Sequence, residues 1–430
     1  MINVKLGDVL DVKRGASLAG DYYATEGNLV RLTLGNFNYP GGGFKENTSK
    51  ADIYFTGPIK PEFILNKGDI ITPLTEQVSG LLGETATIPE GGKYIQSGDV
   101  GLIVPDETKL DKRFAYYLIS SPIVKKQLDA AAQQTKIRHT SPDAIKACEA
   151  WIPEDISTQH VIGALLDAIN AKIDNNREAC EQLESLSRLI YDYWFVQFDF
   201  PDENGKPYKS SGGKMVWNEE LKREIPEGWE VRPIEEYISV VRGISYKPSD
   251  ELKNCGPHTV TLLKSNNIQN GSVSFDQPVY LPETHASNDQ WLNKGSVFIT
   301  MSSGSKAHMG KTAIIYKDLP YVFGAFCAKI VIDNSVNCYL STYFRSNWFR
   351  TYIENVTLGT SINNIGNEQL TSIVLPFAPE SLQKKFEKIL QPLFDNIGEL
   401  RDENQQLASL RDFLLPMLMN GQVKVGKAGE

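Results

Sequence analysis

The sequence predicts two similar domains of mixed helix and sheet (α+β), separated by two long antiparallel helices that form a coiled coil. Three observations lead to this fold class. The 430 residues contain one unit of about half the chain used twice, each copy alternates short strand patterns with Gly and Pro turns, and each copy ends in a long heptad pattern. Two helices at equivalent places of a two-fold repeat run in opposite directions, so their apolar seams can bury each other.

The internal repeat is visible in short runs that are identical or nearly so. Leu-Asn-Lys-Gly at 65–68 recurs at 292–295, and the run at 83–88 matches the run at 310–315, both at an offset of 227. Val-Lys-Arg-Gly at 12–15 pairs with Val-Val-Arg-Gly at 240–243 at an offset of 228. Small changes in offset are what insertions and deletions in loops produce, so the protein is one unit used twice.

The first copy consists of a domain and a helix. Residues 1–155 form the first domain, with alternating strand patterns such as 69–73. Residues 156–198 form the central long helix, which Pro153 precedes and for which Ser157 and Thr158 are the expected caps. Its apolar positions recur every three or four residues, with Asn176 and Ser187 as polar interruptions of the seam.

The second copy repeats that order after an extended connector at 199–230. Residues 231–378 form the second domain, in which 296–301 is the strand equivalent to 69–73. Residues 379–420 form the C-terminal long helix, whose seam is interrupted by Asn404 and Arg411, and 421–430 form a tail. A polar seam residue costs stability but can specify the register of a helix pair.

Composition excludes several classes of protein. The chain is 41% hydrophobic and 23% charged, which is ordinary for a globular protein, and it contains no apolar run long enough to cross a bilayer. The five cysteines form no CxxC pair, so we expect buried thiols in a reducing cytoplasm and neither disulfides nor a metal site. The net charge of -9 is concentrated in 154–236, while 237–360 carries a small basic excess, so the overall charge does not exclude a local basic surface.

Catalytic motifs are absent from the sequence. We find no GxGxxG, no Walker A run, no HExxH and no amino-methyltransferase motif. Ser303 to Lys306 matches SxxK, but the companion motifs of that enzyme class are missing. We therefore expect no catalytic residues in this chain.

Three loops recur in both copies and are rich in side chains that bind phosphates and base edges. Loop A is 35–50 in the first domain and 264–274 in the second, loop B is 72–80 and 300–311, and loop C is 133–141 and 357–364. The strands match between the copies while the loops do not, as expected when one scaffold recognises two different targets.

The candidate DNA-binding residues are drawn from these loops. Those of the first domain are Asn36, Asn38, Lys45, Thr75, Gln77, Lys136, Arg138 and His139. Those of the second domain are Asn266, Asn267, Ser303, Lys306, His308, Lys311, Thr360, Ser361, Asn363 and Asn364. Exposed loops are polar in most proteins, so the argument depends on the matching places in both copies.

Three runs resemble the specificity subunit of a type I restriction–modification enzyme. Ile-Pro-Glu-Gly-Trp-Glu-Val at 225–231, followed by Val-Arg-Gly at 241–243, is similar to the start of a target-recognition domain in that family. Tyr-Trp-Phe-Val-Gln-Phe-Asp-Phe at 193–200 resembles the family's exit from the central helix, and 414–423 resembles its carboxyl-terminal signature. The resemblance covers the whole chain in its domain order.

This resemblance implies a non-catalytic subunit that recognises an asymmetric bipartite DNA site with two target-recognition domains. Its expected partners are double-stranded DNA, two methyltransferase subunits and two restriction (motor) subunits, with no membrane. The chain itself is expected to bind no cofactor, because S-adenosylmethionine belongs to the methyltransferase subunit. The alternative is a non-enzymatic scaffold whose duplicated domains bind other proteins.

Overall fold

The computed structural model describes residues 1–39, 42–76, 80–132, 138–275, 277–357 and 364–423. These residues form two compact units. Unit 1 comprises Met1–Asp174 and Gln405–Glu430, and unit 2 comprises Asn175–Asn404. The predicted segment boundaries stay a prediction, because the compact units divide the long helices between them.

Unit 1 contains the first domain, whose elements are short. Its described strands are β1 (Ile2–Lys5), β2 (Leu10–Arg14), β3 (Tyr23–Ala24), β4 (Val30–Arg31), β5 (Tyr54–Phe55), β6 (Ile70–Pro73), β7 (Thr75–Glu76), β8 (Ala86–Thr87), β9 (Tyr94–Ile95), β10 (Val100–Pro105), β11 (Arg138–His139) and β12 (Glu149–Ile152). Its helices are α1 (Lys112–Ile119), α2 (Pro122–Ala131) and α3 (Pro142–Ala147). The main sheet has the order β2-β10-β6-β8, and a second sheet has the order β3-β5-β4-β9.

The central helix α4 spans Ile156–Tyr191 and continues as a π-helical segment, Asp192–Val196. The expected caps, Ser157 and Thr158, are wrong: Asp155 precedes the helix and its carboxylate accepts from both backbone N–H groups, at 3.2 and 3.1 Å, and from both hydroxyls. These four donors stabilise the ionised carboxylate and lower the pKa of Asp155 to about 2. The cap therefore stays ionised at neutral pH.

Unit 2 contains the second domain and the connector. Its described strands are β13 (Met215–Asn218), β14 (Arg223–Pro226), β15 (Glu230–Pro233), β16 (Ile238–Arg242), β17 (Thr259–Leu263), β18 (Ile268–Gln269), β19 (Ser272–Val273), β20 (Val279–Pro282), β21 (Val297–Thr300), β22 (Thr312–Ile314), β23 (Tyr321–Phe323), β24 (Cys327–Ile332) and β25 (Val374–Phe377). Its helices are α5 (Asn337–Tyr343), α6 (Asn347–Thr357) and α7 (Asn367–Thr371), and the chain's last described helix is α8 (Glu380–Met419). The main sheet has the order β16-β24-β21-β22.

The repeat predicted from sequence is confirmed by strand pairing. Within unit 1, β10 lies between β2 and β6, and β4 pairs in parallel with β9. Within unit 2, β24 lies between β16 and β21, and β17 pairs in parallel with β23. The register matches as well: Ile70 pairs with Ile103 in one sheet, and Val297 pairs with Ile330 in the other, each residue displaced by the same offset of 227.

The two long helices contact each other in both units and run in opposite directions. In unit 1, Nη1 of Arg411 donates to Oδ1 of Asn170 at 3.1 Å. In unit 2, Nδ2 of Asn176 donates to Oδ1 of Asn404 at 2.9 Å and to Oε2 of Glu403 at 2.7 Å. From the first contact to the second, the residue number rises in α4 from 170 to 176 and falls in α8 from 411 to 404, so the predicted antiparallel pairing is confirmed.

The polar interruptions of the seam have partners. Asn176 and Asn404 lie at equivalent positions of the repeat, at an offset of 228, and bond to each other. Ser187 instead donates its hydroxyl to the carbonyl of Leu183 at 2.8 Å, one turn earlier in the same helix. A pair of equivalent residues in contact is what a local two-fold between the two helices produces.

The connector is more structured than the expected extended segment. It contains the β13–β14 hairpin, and its ends join an aromatic cluster in the core of unit 2. Trp229 lies 5.5 Å from Phe195, 5.3 Å from Phe198 and 5.3 Å from Phe200, measured between ring centroids. The runs at 193–200 and 225–231 therefore pack against each other, because burying these large rings removes much apolar area from water.

The five cysteines are all free thiols. Four are buried as expected, but Cys255 is exposed, so that part of the expectation is wrong. Its segment, Cys255 to His258, lies before β17 and contributes nothing to the apolar clusters. In the described part of the chain, none of the helices has the combination of length and apolarity that a bilayer crossing requires.

The Asn176–Asn404 pair makes a prediction about stability. Asn176→Leu removes the donor to the half-buried Asn404 and to Glu403, and leaving a buried hydrogen-bonding group without its partner costs about 1–3 kcal/mol. We expect the single variant to lower the thermal unfolding midpoint and Asn176→Leu/Asn404→Leu to recover it, measured by circular dichroism. Glu181→Ala, on the exposed face of α4, is the control and should leave the midpoint unchanged. Equal loss in the single and double variants would contradict this account.

Candidate nucleic-acid interface

Loops B and C meet in the first domain. Loop B continues from β6 into β7, and β7 pairs antiparallel with β11 of loop C, with Arg138 opposite Glu76 and His139 opposite Thr75. The backbone N–H of Thr140 also donates to the carbonyl of Leu74 at 2.8 Å. Two loops that are about 60 residues apart in sequence therefore form one surface.

The second domain repeats this junction. Ser302 of loop B forms an antiparallel bridge with Asn364 of loop C. The N–H of Ile365 donates to the carbonyl of Met301 at 2.8 Å, which is the equivalent of the Thr140–Leu74 bond. The structure thus places loops B and C together in both domains, at the end of the main sheet.

Loop A of the first domain reaches the same end of the sheet. The N–H of Gly43 donates to the carbonyl of Thr85, which directly precedes β8, at 2.9 Å. A Cβ atom on Gly80 would lie 2.2 Å from the Tyr39 hydroxyl, so loop A also closes on the end of loop B, where only glycine fits. In the first domain the described parts of the three predicted loops therefore lie together at one end of the sheet.

Loop A of the second domain lies against a long helix. It contains the β18–β19 hairpin, and the hydroxyl of Ser272 accepts from Nη2 of Arg401 in α8 at 2.8 Å. Arg401 and Arg345 both form ion pairs with Glu184 of α4. Burial lowers the pKa of the Arg345 guanidinium, and the nearby Glu184 carboxylate opposes that shift. This hairpin is thereby fixed to the helices of unit 2.

Asn36 and Asn267 are buried and hold their own loops together. Oδ1 of Asn36 accepts from the N–H of Thr33 at 2.9 Å, and Oδ1 of Asn267 accepts from the N–H of Lys264 at 2.8 Å. Each amide nitrogen then donates to a carbonyl further along its loop. These two side chains have a structural role within their loops, and their part in DNA binding stays a prediction. Their presence in both copies could have indicated this, because residues shared by diverged loops belong to the scaffold.

Glu76 lies in loop B but was not among the candidate DNA-binding residues chosen from the sequence. Its carboxylate is buried, and Oε2 accepts from the N–H groups of Gly80 and Leu82, both at 3.0 Å. Oε1 lies 2.8 Å from Nη1 of Arg138, which also contacts Oδ1 of Asp129 at 2.9 Å. Glu76 therefore holds the backbone at Gly80 and Leu82 and ties loop B to Arg138 of loop C. The available sequence signal was an acidic residue at the point where an apolar strand pattern passes into a loop.

The remaining candidates of the first domain vary in exposure. Thr75 is buried in the β7–β11 ladder, and Asn38 is half-buried with its amide donating to the carbonyl of Gly42 at 3.2 Å. Lys45 and His139 are exposed. Arg138 is half-buried and held by its two carboxylates, so its charge is largely offset within the domain.

Among the candidates that the structure describes, more are exposed in the second domain than in the first. Lys306, His308, Asn266 and Asn364 are exposed, whereas Ser303 and Lys311 are half-buried. The described residues provide no ion pair or side-chain hydrogen bond for Lys306 or His308. This part of loop B can therefore offer positive or hydrogen-bonding groups to a ligand.

Five predicted site residues lie outside the described residues. They are Gln77, Lys136, Thr360, Ser361 and Asn363. Their part in DNA binding stays a prediction, as it does for the candidates placed above. Among the described residues, no group of His, Cys, Asp and Glu is arranged to hold a metal ion.

Comparison with known proteins shows that this chain shares its domain order with one protein family. The family model for the type I restriction modification DNA specificity domain matches twice, at residues 1–185 and 226–409. The EcoKI specificity subunit of Escherichia coli K12 is 27% identical over 210 residues, which is 48% of this chain and 45% of the relative. The chain thus aligns with less than half the length of that protein.

Two further comparisons cover most of the chain. The MjaVIII specificity subunit of Methanocaldococcus jannaschii is 23% identical over 380 residues, or 85% of this chain and 81% of the relative. The crystal structure of a type I restriction-modification S subunit from M. genitalium has a TM-score of 0.55 at 17% identity and covers 97% of this chain and 96% of its own, which shows a shared fold. With both of its halves matched, the chain belongs to the family of the type I restriction modification DNA specificity domain.

Proposed function

We propose that this chain is the DNA specificity subunit of a type I restriction–modification complex. The observation that carries the proposal is one scaffold used twice with different loops at the same sheet end. In the first domain the Thr75–His139 pair joins loop B to loop C, with the Glu76–Arg138 ion pair beside it, while in the second domain the place equivalent to Thr75–His139 is the Ser302–Asn364 bridge. Different side chains on matching backbones suit two different DNA half-sites.

The chain acts by binding and performs no bond-breaking step itself. Hydrogen-bonding and cationic side chains at loops B and C contact base edges and phosphates, and this contact positions the partner subunits on DNA. Methylation then belongs to two methyltransferase subunits that carry S-adenosylmethionine, and cleavage belongs to two restriction subunits. We place this complex in the cytoplasm.

Exposed apolar residues on the long helices support binding of two methyltransferase subunits. In unit 2, α4 exposes Leu186 and Leu189, the latter 62% exposed. In unit 1, α8 exposes Leu410 and Phe413, the latter 60% exposed. Apolar residues spaced three apart on a helix and left in water are typical of an interaction surface. Each unit carries one such patch, which suits two copies of one partner.

The main test is the methylation motif in cells. With the gene present, we expect adenine methylation at two different short half-sites separated by unread bases, because two non-identical domains contact them. Sequencing that detects modified bases, in strains with and without the gene, measures this. A palindromic or continuous motif would contradict bipartite recognition, and no motif at all with the partners present would favour the protein-binding scaffold.

Variants of single domains should affect single half-sites. Lys306→Ala or His308→Ala should weaken or relax the half-site of the second domain, and Glu76→Gln, by loosening loops B and C, that of the first. A lost base contact costs about 1–3 kcal/mol at one position, whereas a lost phosphate contact weakens all sequences alike. Lys222→Ala in the connector is the control. The assignment fails when one variant alters both half-sites, or when all three leave the motif unchanged.

Charge placed in the apolar patches should remove partner subunits one at a time. We expect Leu189→Glu or Phe413→Glu to leave a complex with one methyltransferase subunit, and the double variant to leave none, because a desolvated carboxylate is costly. Native mass spectrometry of the co-expressed subunits measures the stoichiometry, with Gln182→Glu on α4 as the control. Two bound subunits in the double variant would show that these patches are not the docking surface.

A further inference from the structure

Phe326 is an exposed aromatic side chain beside loops B and C of the second domain. It is 68% exposed, the highest value among the large hydrophobic residues that the structure describes as exposed. It lies in the turn between β23 and β24, two strands whose other side chains are largely buried. A phenylalanine left in water at such a place has no role in the core.

The backbone beneath Phe326 is held firmly. Its carbonyl accepts from the N–H groups of Met301 and Ser302, at 2.9 and 3.0 Å. The N–H of Cys327 donates to the carbonyl of Gly324 at 2.8 Å, and that of Ala325 to the carbonyl of Ile244 at 2.9 Å. Three of these hydrogen bonds fix the turn to neighbouring segments and the fourth closes the turn itself, so the exposed ring is displayed by a firmly held backbone.

The ring lies next to the candidate interface. Ser302, which donates to the Phe326 carbonyl, also forms the bridge to Asn364 of loop C. Lys306 and His308 follow a few residues later in loop B and are exposed. One apolar ring is therefore presented among polar and cationic groups, a combination that suits a DNA base next to its phosphates.

The equivalent residue of the first domain is Asp99, at an offset of 227. The N–H of Leu74 donates to the Asp99 carbonyl at 2.8 Å, as Met301 does to Phe326, and the N–H of Val100 donates to the carbonyl of Ser97 at 3.0 Å. The backbone is the same while the side chain changes from carboxylate to ring. This is the pattern of a residue that distinguishes the targets of two domains.

We propose that Phe326 determines specificity by an apolar contact with a base in the half-site of the second domain. The inference rests on the proposed function. An aromatic ring can contact the 5-methyl group of thymine in the major groove, or enter between two base steps and unstack them. In both contacts the apolar ring packs against a base and is removed from water. The carboxylate of Asp99 offers no such apolar surface.

The test uses the complex with its methyltransferase subunits and duplexes that carry the native methylation site. We expect Phe326→Ala to weaken binding to the native duplex about ten-fold. Altering only the second domain's half-site should then cost the variant less affinity than it costs the wild-type complex, because the variant no longer makes the contact. Phe326→Leu, which keeps an apolar side chain, should retain most of the affinity. Trp217→Ala, at another exposed aromatic residue, is the control.

Two modified duplexes distinguish the kinds of contact. Replacing one thymine with uracil removes its methyl group, and a loss seen with wild type but not with Phe326→Ala supports a methyl contact. A rise in 2-aminopurine fluorescence on binding of wild type, absent with Phe326→Ala, supports insertion between bases. Circular dichroism should show the same unfolding midpoint for the variant, since the ring is exposed.

Other outcomes overturn the inference. Wild-type affinity and motif in Phe326→Ala would show that the ring does not contact DNA. Equal weakening on all sequences, or loss of a methyltransferase subunit from the complex, would assign the ring a different role. If the wild-type complex itself showed no sequence-specific binding, the proposed function would be refuted. That result differs from a failure of the Phe326 inference, in which the wild-type complex still binds its site specifically.

Discussion

The antiparallel contact between the two long helices is the interaction on which the rest of the structure depends. Each helix contributes one part to each compact unit, so neither unit is complete without both helices. An apolar seam provides most of the stabilisation, and Ile173, Cys180, Leu390 and Ile397 are almost fully buried. The seam is specified by polar pairs at Asn176–Asn404 and Asn170–Arg411, because a shifted register would leave these groups without partners.

The strand register of the sheets is a second constraint, and it applies to the scaffold but not to the loops. Ile70 opposite Ile103 and Val297 opposite Ile330 are the same pairing in two copies, and β6 and β21 are buried along their whole length, so a shift of register would disturb the packing on both faces. The sheets therefore tolerate little change, whereas the loops at their ends need only keep a few backbone bonds. Recognition can diverge there without a cost to the core.

The two loop surfaces differ in how their charges are used. In the first domain Glu76 and Asp129 hold Arg138, and the buried Glu84 pairs with Lys125; burial raises the pKa of Glu84, which Lys125 opposes. In the second domain Lys306 and His308 extend into solvent. One surface is organised by internal ion pairs and the other presents its cations, as suits two sites with different ligands.

The sequence by itself determined the repeat, the α+β class, the presence and antiparallel pairing of two long helices, and the polar interruptions of their seam. These features depend on local periodicity and on self-similarity, which are visible along the chain. Only the tertiary structure decided which loop residues are available. Asn36 and Asn267 have the composition of base-contacting residues but are consumed by backbone bonds, Glu76 meets Arg138 across some sixty residues, and Phe326 lies beside Ser302 through strand pairing. Polar type predicts what a side chain can bind, but contacts between distant segments decide whether its donors and acceptors remain free.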